Sequence, residues 1–140
     1  AGSHNAPGIV SLLEGVLWVH AHGVDNLHAR DTDLVRTFLD NISRCEGLTY
    51  FGPRGVKDRI GVFSVRVEGY EPHELSTVLE AQYGLLTRSG LHCAPHAHGT
   101  IGSLDRVGTT RLSFGPFLSP QDVKYAADAL AEVALAAVGG

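Results

Sequence analysis

The residues best suited to chemistry lie together in Thr87-Arg88-Ser89-Gly90-Leu91-His92-Cys93-Ala94-Pro95-His96. The chain holds two cysteines, so a reactive sulfur is either Cys45 or Cys93. Cys45 closes a helical run of apolar residues and reads as a small packed side chain. Cys93 sits in a loop punctuated by Gly and Pro, with His92 beside it and Arg88 upstream. Positive neighbours favour the thiolate, the nucleophilic form of sulfur, and His92 could shuttle a proton to or from it. On residue types alone three readings stay open. Cys93 is a nucleophile, or an inert structural thiol, or part of a Cys93, His96, His98 metal site with His92 as a fourth ligand. Zinc takes Cys and His in a tetrahedron, but a structural site ordinarily draws a second ligand pair from another segment. Here every candidate crowds into one short loop, so no bound metal is expected.

Such a loop needs rigid elements to hold it. Leu85 to Arg88 reads as a strand leading in, and Thr109 to Phe114 as a strand leading out. Between them, from Ser89 to about Val107, the sequence reads as a loop with four glycines in it or at its ends, so a long functional loop is expected. Ile60 to Val67 is the clearest strand: Phe63, Val65 and Val67 share one face, and Val62, Ser64 and Arg66 the other. Leu48 to Phe51 is a shorter strand. Pro72 opens a helix with Leu75, Val78 and Leu79 that stops at Gly84. Ser119-Pro120-Gln121-Asp122 has the form of a capped helix start, with Val123, Ala126, Ala127, Leu130, Val133, Ala134 and Ala137 lining one face. At the other end, Ile9, Leu12, Leu13, Val16 and Leu17 mark an amphipathic helix running to Gly23. Trp18 and Val19 lie off its main stripe, which suggests two packing layers, one of them missing. Asp25 is placed to cap a further helix carrying Leu27, Leu34, Val35, Phe38, Leu39, Ile42 and Cys45. The order is α-α-β-β-α-β-β-α. It predicts an α/β (α+β) small domain, with a mixed sheet of about four strands covered mainly on one side by helices. The stretch from Ile60 through the next helix into Arg88 suits a right-handed crossover.

At 140 residues the chain has the size of one domain with a single core. Its apolar fraction of 44% and charged fraction of 19% are those of a globular protein. A net charge of -4 with no Lys/Arg block argues against nucleic-acid binding. No apolar run is long enough to span a bilayer. Two cysteines are too few for a disulfide framework, and a reducing, cytoplasmic setting is expected. Ala1-Gly2-Ser3-His4 resembles an expression-tag scar, leaving residues 5–140 as the domain proper.

Arg88-Ser89-Gly90-Leu91-His92-Cys93-Ala94-Pro95, followed by Gly108-Thr109-Thr110-Arg111-Leu112-Ser113-Phe114-Gly115, resembles the C-terminal part of class V aminotransferase-fold enzymes. The likeness is to the cysteine desulfurase and selenocysteine lyase branch, with its R-x-G-x-H-C-A loop. It implies the small C-terminal domain of an aspartate-aminotransferase-like fold. It also implies an enzyme that takes sulfur from L-cysteine, leaving alanine and a persulfide on the loop cysteine, here Cys93. Such enzymes use pyridoxal phosphate held by a lysine of a large domain, work as homodimers, and can pass sulfur to acceptor proteins, as in iron–sulfur cluster assembly. Carried over by position, Arg111 would grip the substrate carboxylate, with Arg88 and His92 as further loop residues of the site. Neither Lys57 nor Lys124 stands in the family's Ser/Thr-x-His-Lys context. No cofactor-binding residue is therefore expected in this chain, and alone it is expected to be inactive. Selenocysteine lyase, another class V activity and a Cys/His metal module remain the alternatives.

Overall fold

The computed structural model describes residues 2–104 and 107–139. Five helices and four strands follow one another as α1 (Ala6–His22), α2 (Val24–Ile42), β1 (Leu48–Tyr50), β2 (Val62–Val67), α3 (Pro72–Tyr83), β3 (Arg88–Gly90), α4 (Pro95–Thr100), β4 (Thr109–Ser113) and α5 (Pro120–Val138). The strands form one sheet in the order β1-β2-β4-β3.

The alternation seen in β2 decides which face of the sheet is covered. Phe63, Val65 and Val67 are buried, and the register sets Leu112 of β4 opposite Phe63 and Thr110 opposite Val65. Helices α2, α3 and α5 lie on this face. They contribute Leu34, Val35, Phe38 and Ile42, then Leu75 and Leu79, then Val123, Ala127, Leu130 and Ala134. The small side chains of α5 let it approach α2 and the sheet closely. Phe38 packs tilted against Phe63, at 4.4 Å between ring centroids, and edge-on against Phe114 at 4.9 Å. Burying a large aromatic or aliphatic side chain stabilises the fold by ~2–3 kcal/mol.

Helix ends follow their local chemistry. At the start of α5 the Ser119 hydroxyl accepts from the Asp122 N–H while the Asp122 carboxylate accepts from the Ser119 N–H, a reciprocal capping box. Helix α3 ends at Gly84 in the left-handed conformation, and the next N–H, of Leu85, returns to the Leu79 carbonyl at 3.0 Å.

Four expectations are corrected. The sheet is antiparallel at every pairing instead of mixed. β2 and β3 do run the same way, but β4 returns between them, so no parallel neighbours arise. The third strand is Arg88–Gly90, not Leu85 to Arg88, because the Leu85 N–H is committed to ending α3. Asp25 does not cap α2: Gly23 stands between the first two helices, and Asp25 lies inside the first turn. The stretch after Cys93 is not structureless, since Pro95–Thr100 forms α4. The lone buried residue of that helix, His98, gives no apolar periodicity for a sequence reading to detect.

Helix α1 stands apart. None of its residues is buried; Leu12 is 69% exposed and Ile9 59%. Trp18 alone finds aromatic company, stacking on His22 at 4.1 Å and tilted against Phe117 at 5.3 Å. No helix among the described residues is long and apolar enough to cross a membrane.

Candidate functional site

The sheet face away from the helices carries the polar members of the alternation. β2 supplies Ser64 and Arg66, β4 supplies Thr109 and Arg111, and β3 supplies Arg88. The register sets Arg111 opposite Ser64 on one side and Arg88 on the other. Two guanidinium groups from adjacent strands thus share one face, which favours an anionic ligand in a planar, two-point contact.

The cysteine loop leaves β3 and re-enters β4 beside this face, and backbone contact pins its two ends together. Gly90 and Gly108 both have positive φ, +100° and +94°. A Cβ on Gly108 would collide with the Gly90 carbonyl oxygen, so only glycine permits this approach. Between them His92 and Cys93 are consecutive non-glycine residues in left-handed backbone, φ 52° and 60°. Such strain costs on the order of 1–3 kcal/mol per residue and clusters where a side chain must be held in one direction. Here it leaves the Cys93 thiol exposed and within 3.7 Å of Arg88 Nη2.

His92, the residue before Cys93, is half-buried, with Nε2 at 3.3 Å from the Thr109 hydroxyl. Burial pushes its imidazole below the ordinary range, and the positive charge of Arg111, the nearby His98 and Arg88 push the same way; a hydrogen bond to the Thr109 backbone opposes them. The ring is therefore neutral at pH 7 and able to accept a proton. His92 Nδ1 and Arg111 Nε are buried without a hydrogen-bond partner among the described residues. Those atoms are polar capacity that a ligand group can satisfy.

Cys93, His92, Arg88 and Arg111 are thus brought to one place, by β3, β4 and the turn between them. Cys45 is elsewhere, half-buried against the core, its Sγ near the Ala131 carbonyl and its thiol pushed up by burial. The sequence reading missed Thr109, Ser103 and the second function of Arg66. Arg66 donates from Nε to the Gly108 carbonyl at 3.1 Å and from Nη2 to the Ser103 carbonyl at 2.7 Å, tying the returning loop to β2. Its place on the polar side of β2 was the available signal. Among the described residues no three His, Cys, Asp or Glu side chains gather as metal ligands would. His98 turns to Ser103, at 2.7 Å, while His96 is exposed.

The residues present do not fit a Schiff-base cofactor. Lys124 lies on α5 with Nζ between both carboxylate oxygens of Asp128, at 2.9 and 2.7 Å, and Lys57 is exposed in the turn before β2. α5 packs on the opposite face of the sheet from the cysteine loop, so Lys124 does not face it. No step can be drawn through pyridoxal phosphate from this chain's own side chains.

Comparison with known proteins bears on this geometry. The family model "Aminotransferase class-V" matches residues 1–126. A probable cysteine desulfurase of Pyrococcus abyssi is 29% identical over 124 residues, covering 89% of this chain and 30% of the relative. One from Halalkalibacterium halodurans is 31% identical over 125 residues, covering 89% and 28%. Among solved structures, the apo cysteine desulfurase of Thermococcus onnurineus superposes with a TM-score of 0.85 at 26% identity, over 97% of this chain and 33% of that one. This chain spans about a third of the length of the proteins it matches.

Proposed function

The chain belongs to the class-V aminotransferase family, and from that premise we propose that it supplies the sulfur-accepting side of a cysteine desulfurase site, as the small domain of a larger enzyme. The observation that carries the reading is the Cys93 thiol, exposed on strained backbone with Arg88 Nη2 at 3.7 Å and a neutral imidazole next to it. A structural cysteine needs none of these.

In this reading Arg111 and Arg88 hold the substrate carboxylate. His92 takes the thiol proton, and Cys93 receives the sulfur. The carbon–sulfur bond of L-cysteine breaks and a sulfur–sulfur bond forms to Cys93. Carbon gains a proton, balancing the one His92 removes from the thiol, and is reduced to the methyl of alanine as the transferred sulfur rises to the persulfide level, so no outside oxidant or reductant is needed. Pyridoxal phosphate, which the family uses for electron delocalisation, would be held by residues other than those described here. The exposure of Cys93 leaves the persulfide reachable by an acceptor protein. The apolar surface of α1 suits contact with another part of the enzyme or a second subunit.

Two measurements test the proposal in the enzyme that carries this chain. After reaction with cysteine labelled in sulfur, the label should map to Cys93 and not to Cys45; label on neither thiol would refute the carrier role. Arg111→Ala should raise KM for cysteine by at least tenfold, the expected result of losing a charge-assisted bidentate contact. An unchanged KM would remove Arg111 from the site.

A further inference from the structure

His98 is the only residue of α4 that is buried, 3% exposed among neighbours that face solvent. A buried imidazole is costly unless its polar atoms are used, and a leucine would fill the same space at less cost. Here Nδ1 meets the Ser103 hydroxyl at 2.7 Å, and Ser103 is itself fully buried. The Ser103 N–H donates to the His98 carbonyl at 2.9 Å. The Ser103 carbonyl accepts from Arg66 Nη2 at 2.7 Å and from the Gly108 N–H at 3.1 Å. His98 is thus anchored through Ser103 to β2 and to the start of β4. On its other side its ring lies 5.4 Å from that of His92, tilted by 40°.

We propose that His98 is a positioning residue, anchored by Ser103 and acting through His92 to hold that ring as the proton acceptor for Cys93. The inference rests on the reading of Cys93 as a nucleophile and adds to it a residue that touches neither the thiol nor a substrate. The titratable and charged groups acting on His92 are Arg111 from β4, His98 from α4 and Arg88 from β3; Cys93 follows it in the chain. Two neighbouring imidazoles resist being protonated together, so His98 adds to burial and Arg111 in disfavouring the charged form of His92. The Thr109 hydroxyl, at 3.3 Å from Nε2, fixes the remaining orientation.

The test uses this chain, with Cys93 alkylation by iodoacetamide followed against pH and resolved from Cys45 by peptide mass spectrometry. The His92 ring is titrated in parallel by NMR. His98→Phe keeps an aromatic ring but removes the polar anchor. Ser103→Ala removes a single oxygen and carries the test should phenylalanine not be accommodated. His98→Gln offers Ser103 an amide in place of the imidazole. We expect His98→Phe to raise the His92 midpoint by on the order of half a pH unit. The lost orientation of His92 should outweigh its higher basicity, so His98→Phe and Ser103→Ala should each slow Cys93 alkylation at pH 7 by about threefold, and His98→Gln should recover most of that loss. Wild-type profiles in both His98→Phe and Ser103→Ala, with an altered profile in His92→Gln, would overturn this inference alone. A wild-type profile in His92→Gln as well would overturn it together with the proton-accepting role of His92.

Discussion

Replacing Gly108 by alanine perturbs the cysteine loop without touching a side chain of the site. Gly108 has φ +94°, and its added Cβ would collide with the Gly90 carbonyl oxygen. The conformational penalty for a left-handed alanine is roughly 1–2 kcal/mol. Forcing an atom into filled space adds about 1–3 kcal/mol. The clash is with backbone, so no rotamer change can relieve it. The expected destabilisation is therefore about 2–5 kcal/mol, or on the order of 10 °C in Tm for a domain of this size. Gly84→Ala is the matched control. Gly84 also has positive φ, +66°, but a Cβ there would meet nothing within 4 Å, so only the conformational part, about 1 kcal/mol, applies. Chemical denaturation measures both, and Cys93 alkylation at pH 7 reports on the loop. Gly108→Ala should be the less stable and should change the alkylation rate, since the Gly90–Gly108 approach also places the carbonyl that Arg66 grips. Equal stability of the two variants, with wild-type alkylation in both, would refute the claim that this backbone contact sets the loop.

Two further outcomes follow from other parts of the fold. Hydrogen bonds from the Ser119 N–H and hydroxyl hold the Asp122 carboxyl below its ordinary range. Because the folded value is depressed, this contribution is present above the unfolded carboxylate pKa near ~4 and is lost as pH falls through the folded value. Asp122→Asn should thus lower stability at pH 7 but match wild type once the pH is well below both values; a deficit of equal size at both pH values would contradict this. The uncovered helix α1 should drive self-association, because Leu13 and Leu17 are 53% and 52% exposed on one stripe. Sedimentation should show wild type heavier than Leu13→Glu/Leu17→Glu at high concentration, and equal masses would reject contact through α1.

Most of the fold is legible where local chemistry and burial agree. In β2 the alternation of Phe63, Val65 and Val67 with Ser64 and Arg66 matches the faces observed. Ser119-Pro120-Gln121-Asp122 forms the cap its sequence describes. Errors arose where backbone groups are satisfied in ways composition does not reveal. Leu85 reads as a strand residue, yet its N–H ends a helix. Pro95–Thr100 reads as loop because a helix held by one buried histidine has no apolar stripe. In the site, Cys93, His92, Arg88 and Arg111 were visible as residue types and as motifs. Their convergence depends on β4 returning between β2 and β3. Arg66, Ser103 and Thr109 were missed because each acts through the backbone or through another side chain, and neither leaves a spacing in the sequence.

The central claim is that Cys93 accepts sulfur, and the most direct measurement is alanine release from L-cysteine by the enzyme carrying Cys93→Ser. Serine keeps nearly the same volume but its hydroxyl is hardly ionised at neutral pH. The substitution should leave cofactor absorbance unchanged and lower alanine formation by at least ~100-fold, the scale of losing a covalent nucleophile. Alanine released by Cys93→Ser at the wild-type rate would contradict the account and make Cys93 a bystander in a different class V reaction.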